Sequence, residues 1–225
     1  MINSFIKNGY IILPQLINRD LIAKIKQEIS FYRENNHAYN IRNLHHKISV
    51  INELTKYSLI LNALREYTNY SQFKLIKAIL FNKNIDHNWA VAWHQDKTIA
   101  VDKKVSIYSY KNWTKKQGIP HVQPPLNILE KITTIRIALD NTNSRNGALK
   151  IIPNSHRIGI LNQSSITKIV AQKKSVLCSL NMGDILIMHP LLLHSSSKSV
   201  ESKERKIIHL EYSSCKLPKG LNWYS

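Results

Sequence analysis

The sequence predicts a mainly β fold: an antiparallel double-stranded β-helix, jelly-roll and cupin-like, with bracing N-terminal helices. Three observations predict it. Short apolar runs rich in β-branched residues recur from position 73 onward, separated by turn signals. Helix-period stripes gather in the first part of the chain, about 18–70, which is expected to pack on the β core. The 225 residues, 43% of them apolar, provide one sizeable core, and no repeat or low-complexity tract divides them. A single domain over 1–225 is expected.

The elements follow in order. Tyr10-Ile11-Ile12-Leu13 forms a first strand after the turn point Gly9. Asn18 or Asp20 caps a helix from Leu21 to Tyr32, with Leu21, Ile22, Ile25, Ile29 and Phe31 as its apolar stripe. Residues 33–52 are polar and read as a loop reaching toward a site; His45 and His46 within it have no carboxylate nearby and read as surface or hydrogen-bonding groups. A second helix is expected from Asn52 to Tyr67, then strands over Phe73–Phe81 and Trp89–Trp93. The segment 102–125 is long, polar and aromatic and reads as a loop; loops of this length are often functional. Ile132 to Asp140 is the clearest strand, with Thr134, Arg136 and Ala138 on one face and Ile135, Ile137 and Leu139 on the other. Further strands are expected over Ala148–Pro153, Ser175–Leu180, Ile185–His189, Leu191–Ser195 and Lys206–Tyr212, with a helix over Ser164–Gln172. Asn154, Ser155 and His156 read as a polar corner, and Gly147 and Gly183 as turn glycines.

Composition narrows the partners. The formal net charge is +18, but the lysines are scattered, with no zinc-finger spacing, RNP signature or sustained basic helix. Charge alone supplies non-specific attraction, so no specific nucleic-acid partner is expected. No run approaches the ~18–20 apolar residues that cross a bilayer, and the N-terminus lacks a secretory pattern. Cys178 and Cys215 do not make a disulfide framework, and a cytoplasmic setting is expected.

The chemistry centres on two stretches. Trp93-His94-Gln95-Asp96 contains an H-x-D pair whose two ligating side chains point the same way on an extended chain. His194, on a later strand, is the natural third ligand, and two histidines with one carboxylate are the usual facial ligation of non-haem iron(II). His189 competes for that role from the other side of Pro190, with little support from strand alternation. Arg205 follows His194 by eleven residues, and a turn between them returns it to the same cavity as a carboxylate anchor. An ion pair with Glu201 or Glu204 is the plain alternative. His209 shares a strand face with Arg205, and its role stays open. Arg136 shares a strand face with Thr134 and Ala138; an inner position, holding a substrate acid or shaping the pocket, and a position at the barrel rim both stand open. Gln95, of opposite parity to the ligands, steadies the loop or reaches a substrate.

The ordered set of motifs resembles the phytanoyl-CoA dioxygenase family of iron(II)- and 2-oxoglutarate-dependent oxygenases. It comprises Phe5-Ile6-Lys7-Asn8-Gly9-Tyr10, the W-H-Q-D at 93–96, and His121-Val122-Gln123-Pro124-Pro125. Gly147-Ala148-Leu149, Pro153 to Arg157, Gly183-Asp184 and His194 to Arg205 complete it. H-x-D alone is weak evidence; the set with its spacings is strong. The resemblance implies the β-helix architecture, iron(II) on His94, Asp96 and His194, and 2-oxoglutarate on Arg205 with Ser196 as a secondary contact. It implies dioxygen and an unidentified small metabolite as co-substrates, and hydroxylation of a C–H bond. A carboxylate at Asp96, where halogenating relatives carry a small residue, implies oxygenation. Gln95, His121, Gln123, Arg136 and His209 are candidates to border the substrate or support the site. A metal-dependent hydrolase or isomerase and a non-enzymatic β-barrel binding protein stand as rival readings.

Overall fold

The computed structural model of the chain describes residues 2–224. The elements run α1 (Ile2–Asn8), β1 (Tyr10–Leu13), α2 (Arg19–Asn36), β2 (Ile41–Arg42), α3 (Leu44–Lys47), α4 (Ser49–Leu54), α5 (Ser58–Thr68) and β3 (Lys74–Lys83). Then come β4 (Val91–His94), β5 (Ile99–Ala100), β6 (Lys111–Lys116), β7 (Ile119–Gln123), α6 (Leu126–Leu129), β8 (Ile132–Ala138) and β9 (Leu149–Ile151). A 3-10 turn (Ser155–Ile158), α7 (Gln163–Gln172), β10 (Val176–Cys178), β11 (Ile185–Met188), β12 (His194–Ser196) and β13 (Arg205–Ser213) complete the chain.

A six-stranded sheet of order β1-β11-β8-β13-β3-β2 and a four-stranded sheet of order β10-β9-β12-β4 are antiparallel throughout. They meet across a shared apolar cluster that includes Ala138, Leu186, Met188 and Ile207 from the larger sheet and Leu149, Ile151 and Cys178 from the smaller. A third, small sheet, β5-β7-β6, flanks them. The sheets do not close into a barrel, which corrects the mainly β expectation to a mixed α/β arrangement with the strand order of a double-stranded β-helix.

Strand alternation divides the large sheet into two faces. Ile135, Ile137, Ile185, Ile187, Ile208, Leu210 and Tyr212 pack against Ile22, Ile25 and Ile29 of α2 and the buried residues of α4 and α5. Each such aliphatic side chain contributes about 1.5–3 kcal/mol by leaving water. Asn18 caps α2, its Oδ1 accepting from the Leu21 amide at 2.8 Å. Phe31 of the expected stripe is exposed, because two residues beyond Ile29 a helix has turned by about 200°. The helix expected from Asn52 to Tyr67 is broken into α4 and α5. The Tyr212 hydroxyl donates to the Thr55 carbonyl at 2.8 Å, taking an acceptor that a continuous helix would use.

The segments expected as loops carry structure. Residues 33–52 include the end of α2, the edge strand β2 and the turns α3 and α4. Residues 102–125 contain the hairpin β6–β7, in which Lys116 faces Ile119 across Gln117-Gly118. Both turn residues have positive φ, 49° and 83°, as a two-residue hairpin turn of this hand requires. Lys111-Asn112-Trp113-Thr114-Lys115-Lys116 is almost wholly exposed, so it shows no apolar alternation to announce a strand. The Gly183-Asp184 pair is structural. Gly183 sits at φ 91°, where an added Cβ would lie 2.5 Å from the Ile17 carbonyl oxygen. The Asp184 carboxylate accepts from the amides of Gln15 (2.9 Å) and Asn181 (2.7 Å), tying the turn to the first strand.

Candidate metal centre and anion pocket

His94 ends β4 and His194 opens β12, and the two are direct cross-strand partners in the small sheet. Their rings lie 4.1 Å apart between centroids. Asp96, just beyond β4, stands with its carboxylate 3.7 Å from His94 Nε2 and 3.6 Å from His194 Nε2. One ligand atom from each of the three lies within 4.8 Å of the others. Backbone carbonyls set the tautomers. His94 Nδ1 is 2.9 Å from the Ala92 carbonyl and 3.1 Å from that of His194, and His194 Nδ1 is 2.8 Å from that of Leu192. A carbonyl only accepts, so each Nδ1 carries the proton and each Nε2 presents a lone pair to the cavity. Burial pushes His194 down to about 4, outweighing the pull of Asp96, so the imidazole is neutral at neutral pH and able to ligate. For Asp96, burial acts upward, but His194, His209, Lys77 and His94 together hold it below the usual carboxylate range.

Gln95 lies between the ligands and is buried. Its Nε2 donates to the carbonyls of Gly159 and Leu191, both at 2.8 Å, and its Oε1 accepts from the Leu161 amide at 2.9 Å. With the Asp96 amide donating to the Pro190 carbonyl at 2.9 Å, this ties the H-x-D segment to the turn that precedes His194. Gln95 therefore faces away from the cavity. Gln123 is also off the cavity wall, accepting from Asn112 Nδ2 at 3.1 Å, whereas His121 beside it lines the cavity. His189 is outside it too, accepting from the Leu191 amide at 3.1 Å and facing His156.

A second set, Asp96, His209 and Glu211, has ligand atoms equally close. Two of its members are already engaged: His209 Nε2 lies 3.0 Å from Glu211 Oε1, and Lys77 Nζ donates to the same oxygen at 2.6 Å. The free Nε2 atoms of His94 and His194 distinguish the first set.

Arg205 opens β13 opposite Lys83 at the end of β3. Both are buried on the wall of the triad's cavity, with Arg136 from β8. Arg33 and Lys206 hold Glu204, and Arg145 faces Glu201, so neither acid pairs with Arg205. Among the described residues neither Arg205 nor Arg136 has a carboxylate partner, and the buried Arg205 Nε has no hydrogen-bond acceptor. Lys83 Nζ donates to Ser196 Oγ at 2.9 Å and to the Ser197 carbonyl at 2.7 Å, so Ser196 reaches the cavity as Lys83's partner. Burial, then the nearby Arg205 and Arg136, pushes Lys83 down to about 7. Burial and Arg136 likewise lower Arg205, which stays cationic at neutral pH. Gly147, at φ 75°, makes the close approach possible: a Cβ there would be 2.5 Å from the Ser197 carbonyl oxygen and 3.1 Å from Lys83 Nζ. Buried cations without counter-charge call for an anion.

A family model described as phytanoyl-CoA dioxygenase (PhyH) matches residues 5–207. The chain belongs to the PhyH family. Solved structures agree at the level of the fold. EctD from S. alaskensis with bound Fe aligns with a TM-score of 0.75 at 17% identity, covering 97% of this chain and 78% of that one. The non-heme alpha ketoglutarate dependent carbocyclase SnoK from nogalamycin biosynthesis aligns at 0.73 and 11% identity, covering 94% and 82%. The epimerase SnoN of the same pathway aligns at 0.72 and 13%, covering 94% and 79%. No curated protein matches by sequence.

Within this PhyH chain the donor set suits iron(II): two imidazoles and one carboxylate converge, with no cysteine on the cavity wall among the described residues. Sequence reasoning missed Lys83, Lys77, Glu211, Arg42 and Lys116, all of which line the cavity. Lys77 and Lys83 share the parity of Ile79 and Phe81 on β3, so a strict reading of alternation there would have turned both lysines inward.

Proposed function

We propose that this PhyH protein is an iron(II)- and 2-oxoglutarate-dependent dioxygenase that hydroxylates a C–H bond of a small metabolite. The observation that carries the proposal is the pairing, in one cavity, of a facial His94–Asp96–His194 set with buried, unpaired Arg205 beside Lys83. His94, Asp96 and His194 would hold iron(II) at the cavity wall. Arg205, whose planar guanidinium suits a carboxylate, would hold the distal carboxylate of 2-oxoglutarate, with Lys83 beside it as a further donor. Iron(II) with bound 2-oxoglutarate supplies the reductive activation of dioxygen, with succinate and carbon dioxide as by-products.

The chain's own work is positioning. The carbonyls of Ala92 and Leu192 fix the imidazole tautomers. Gln95 keeps the two ligand segments in register by binding the backbone on both sides. Arg136, with its Nη1 3.3 Å from His209 Nδ1 and its guanidinium over the Phe81 ring, shapes the cavity wall. We read 1–225 as one oxygenase domain, because residues from β2 to β13 wall the same cavity.

The unpaired cations favour this reading over a hydrolase or isomerase working through metal-bound water, which has no need of an anion end. Among the relatives by fold, SnoN is an epimerase and SnoK a carbocyclase, so hydroxylation rests here on Asp96 and on the test. The test is oxygen-dependent succinate formation from 2-oxoglutarate with iron(II), followed by product mass across a metabolite panel. A mass increase of one oxygen is expected. Absence of succinate in wild type, or equal succinate from Asp96→Ala, would overturn the proposal.

A further inference from the structure

The cavity wall runs along β3 and β13, from Lys83 and Arg205 to Lys77 and Glu211. On β3 the inward side chains run Lys83, Phe81, Ile79, Lys77, and on β13 they run Arg205, Ile207, His209, Glu211. Six residues of strand separate Lys83 from Lys77, about 20 Å at ~3.3 Å per residue. The far end is therefore a different place from the Arg205–Lys83 end. The carboxylates of Asp96 and Glu211 adjoin there, so this end borders the metal set through Asp96.

Three cations face this far end: Lys77 from β3, Arg42 from the edge strand β2, and Lys116 from the β6–β7 hairpin. Asp96 and Glu211 are the only acids among the described residues on the cavity wall. Asp96 belongs to the metal set, and Glu211 is taken by Lys77 at 2.6 Å and His209 at 3.0 Å. Arg42 and Lys116 have no ion pair among the described residues. Lys116 is lowered by burial and then by Lys77 and Arg42, with Asp96 and Glu211 acting the other way, so these charges all gather at one end of the cavity. His121 is buried on the same wall. Its Nδ1 faces the Ile119 carbonyl at 3.1 Å, which leaves Nε2 for a ligand.

We propose that this end binds the acidic group of the substrate, and that the substrate is a small organic acid held by Arg42 and Lys116 beside the metal. The inference rests on the oxygenase reading for what happens to the acid, but not for its binding. Arg42 supplies a planar fork suited to a carboxylate, and Lys116, exposed on the β6–β7 hairpin and lining the same cavity, supplies a second charge. The cavity measures about 180 Å³, below the ~300–1,000 Å³ of pockets for drug-sized ligands, so the acid is small.

The test compares three probes with one carbon skeleton: butanoate, butanamide and butylammonium. Each is titrated calorimetrically into protein carrying zinc(II) in place of iron(II) and saturated with 2-oxoglutarate. Butanoate should bind, and the amide and ammonium should not. The Arg42→Gln/Lys116→Gln protein should bind butanoate at least about tenfold more weakly while its 2-oxoglutarate affinity is unchanged. No butanoate binding in wild type, equal binding in the double variant, or equal binding of butanamide would overturn the proposal. If 2-oxoglutarate itself fails to bind, the oxygenase reading fails. The same probes on Arg205→Gln protein without cofactor, with and without the Arg42 and Lys116 changes, then decide this one.

Discussion

On β3, β8 and β13 the same residues of backbone serve two unlike faces. One face is Ile, Leu and Ala under the helices; the other carries Lys83, Arg136, Arg205, His209 and Glu211 toward the cavity. The helix-covered face gains stability with every side chain it buries. The cavity face holds charges away from water, and among the described residues two of its guanidinium groups form no ion pair, which costs stability. The difference teaches that the site is a stressed surface on a stiff support. Changes on one face should leave the other's measurements nearly untouched.

The largest effect tests the metal end. His194→Ala should lower iron(II) affinity by more than about a hundredfold, since losing even an outer partner of a ligand costs about 10–100-fold. Its thermal unfolding without metal should stay close to wild type. Anaerobic iron titration with a parallel melt checks both, and undiminished iron binding in folded protein would remove His194 from the set. Next comes the helix-covered face. Leu210→Ala deletes a fully buried side chain and should cost about 2–5 kcal/mol in chemical denaturation. Iron affinity of the folded fraction should not change; a matching fall would mean that the two faces are not independent.

Arg205 gives a smaller effect with the opposite sign on stability. Arg205→Ala should weaken 2-oxoglutarate binding by roughly ten- to more than a hundredfold, from about 1.5–3 kcal/mol for a charged hydrogen-bonded pair. Iron affinity should be retained. Arg205→Lys should rescue incompletely because it lacks the fork. Arg205→Met, which fills the space without a charge, should be at least as stable as wild type. Equal cofactor affinities, read by the metal-to-ligand charge-transfer band, would take Arg205 out of the cofactor end.

The two faces were not equally legible in the sequence. The helix-covered face was readable because Ile135, Ile137 and Leu139 alternate with Thr134, Arg136 and Ala138, and a period of two is a strong signal. The H-x-D pair was readable because two ligands two residues apart on extended chain point one way, although Asp96 falls just past β4; the His194-to-Arg205 spacing was readable as a motif, although it joins β12 and β13 of different sheets. Lys83 was passed over because the expected strand stops at Phe81, and alternation has to be carried two residues further to turn the lysine inward. Its burial depends on Ser196 and Ser197, more than a hundred residues away. The β6–β7 hairpin was missed because its exposed lysines carry no hydrophobic period. Gln95 was seen as a polar residue between two ligands, but its three backbone partners come from segments that only the fold brings together.

The smallest effect sharpens the comparison at Lys83, where burial is only partly relieved by hydrogen bonds. In the unfolded chain its ammonium keeps its proton up to about pH 10.5; in the fold burial, Arg205 and Arg136 bring this down to about 7. Between those values the unfolded state binds the extra proton, so stability should rise as pH rises from 7 toward 10.5. Below about 7 both states are charged there, and the cost of the buried ammonium is present in full. Lys83→Met should flatten this rise. A dianionic cofactor bound beside Lys83 favours its charged form, so binding 2-oxoglutarate at pH 8 should draw a fraction of a proton from solution. Calorimetry in phosphate and in Tris, whose ionisation enthalpies differ, measures that uptake directly. Wild type should show it and Lys83→Met should not. Equal uptake by both proteins would place the titrating group elsewhere, and no uptake in wild type would mean that Lys83 already carries its proton in the empty cavity.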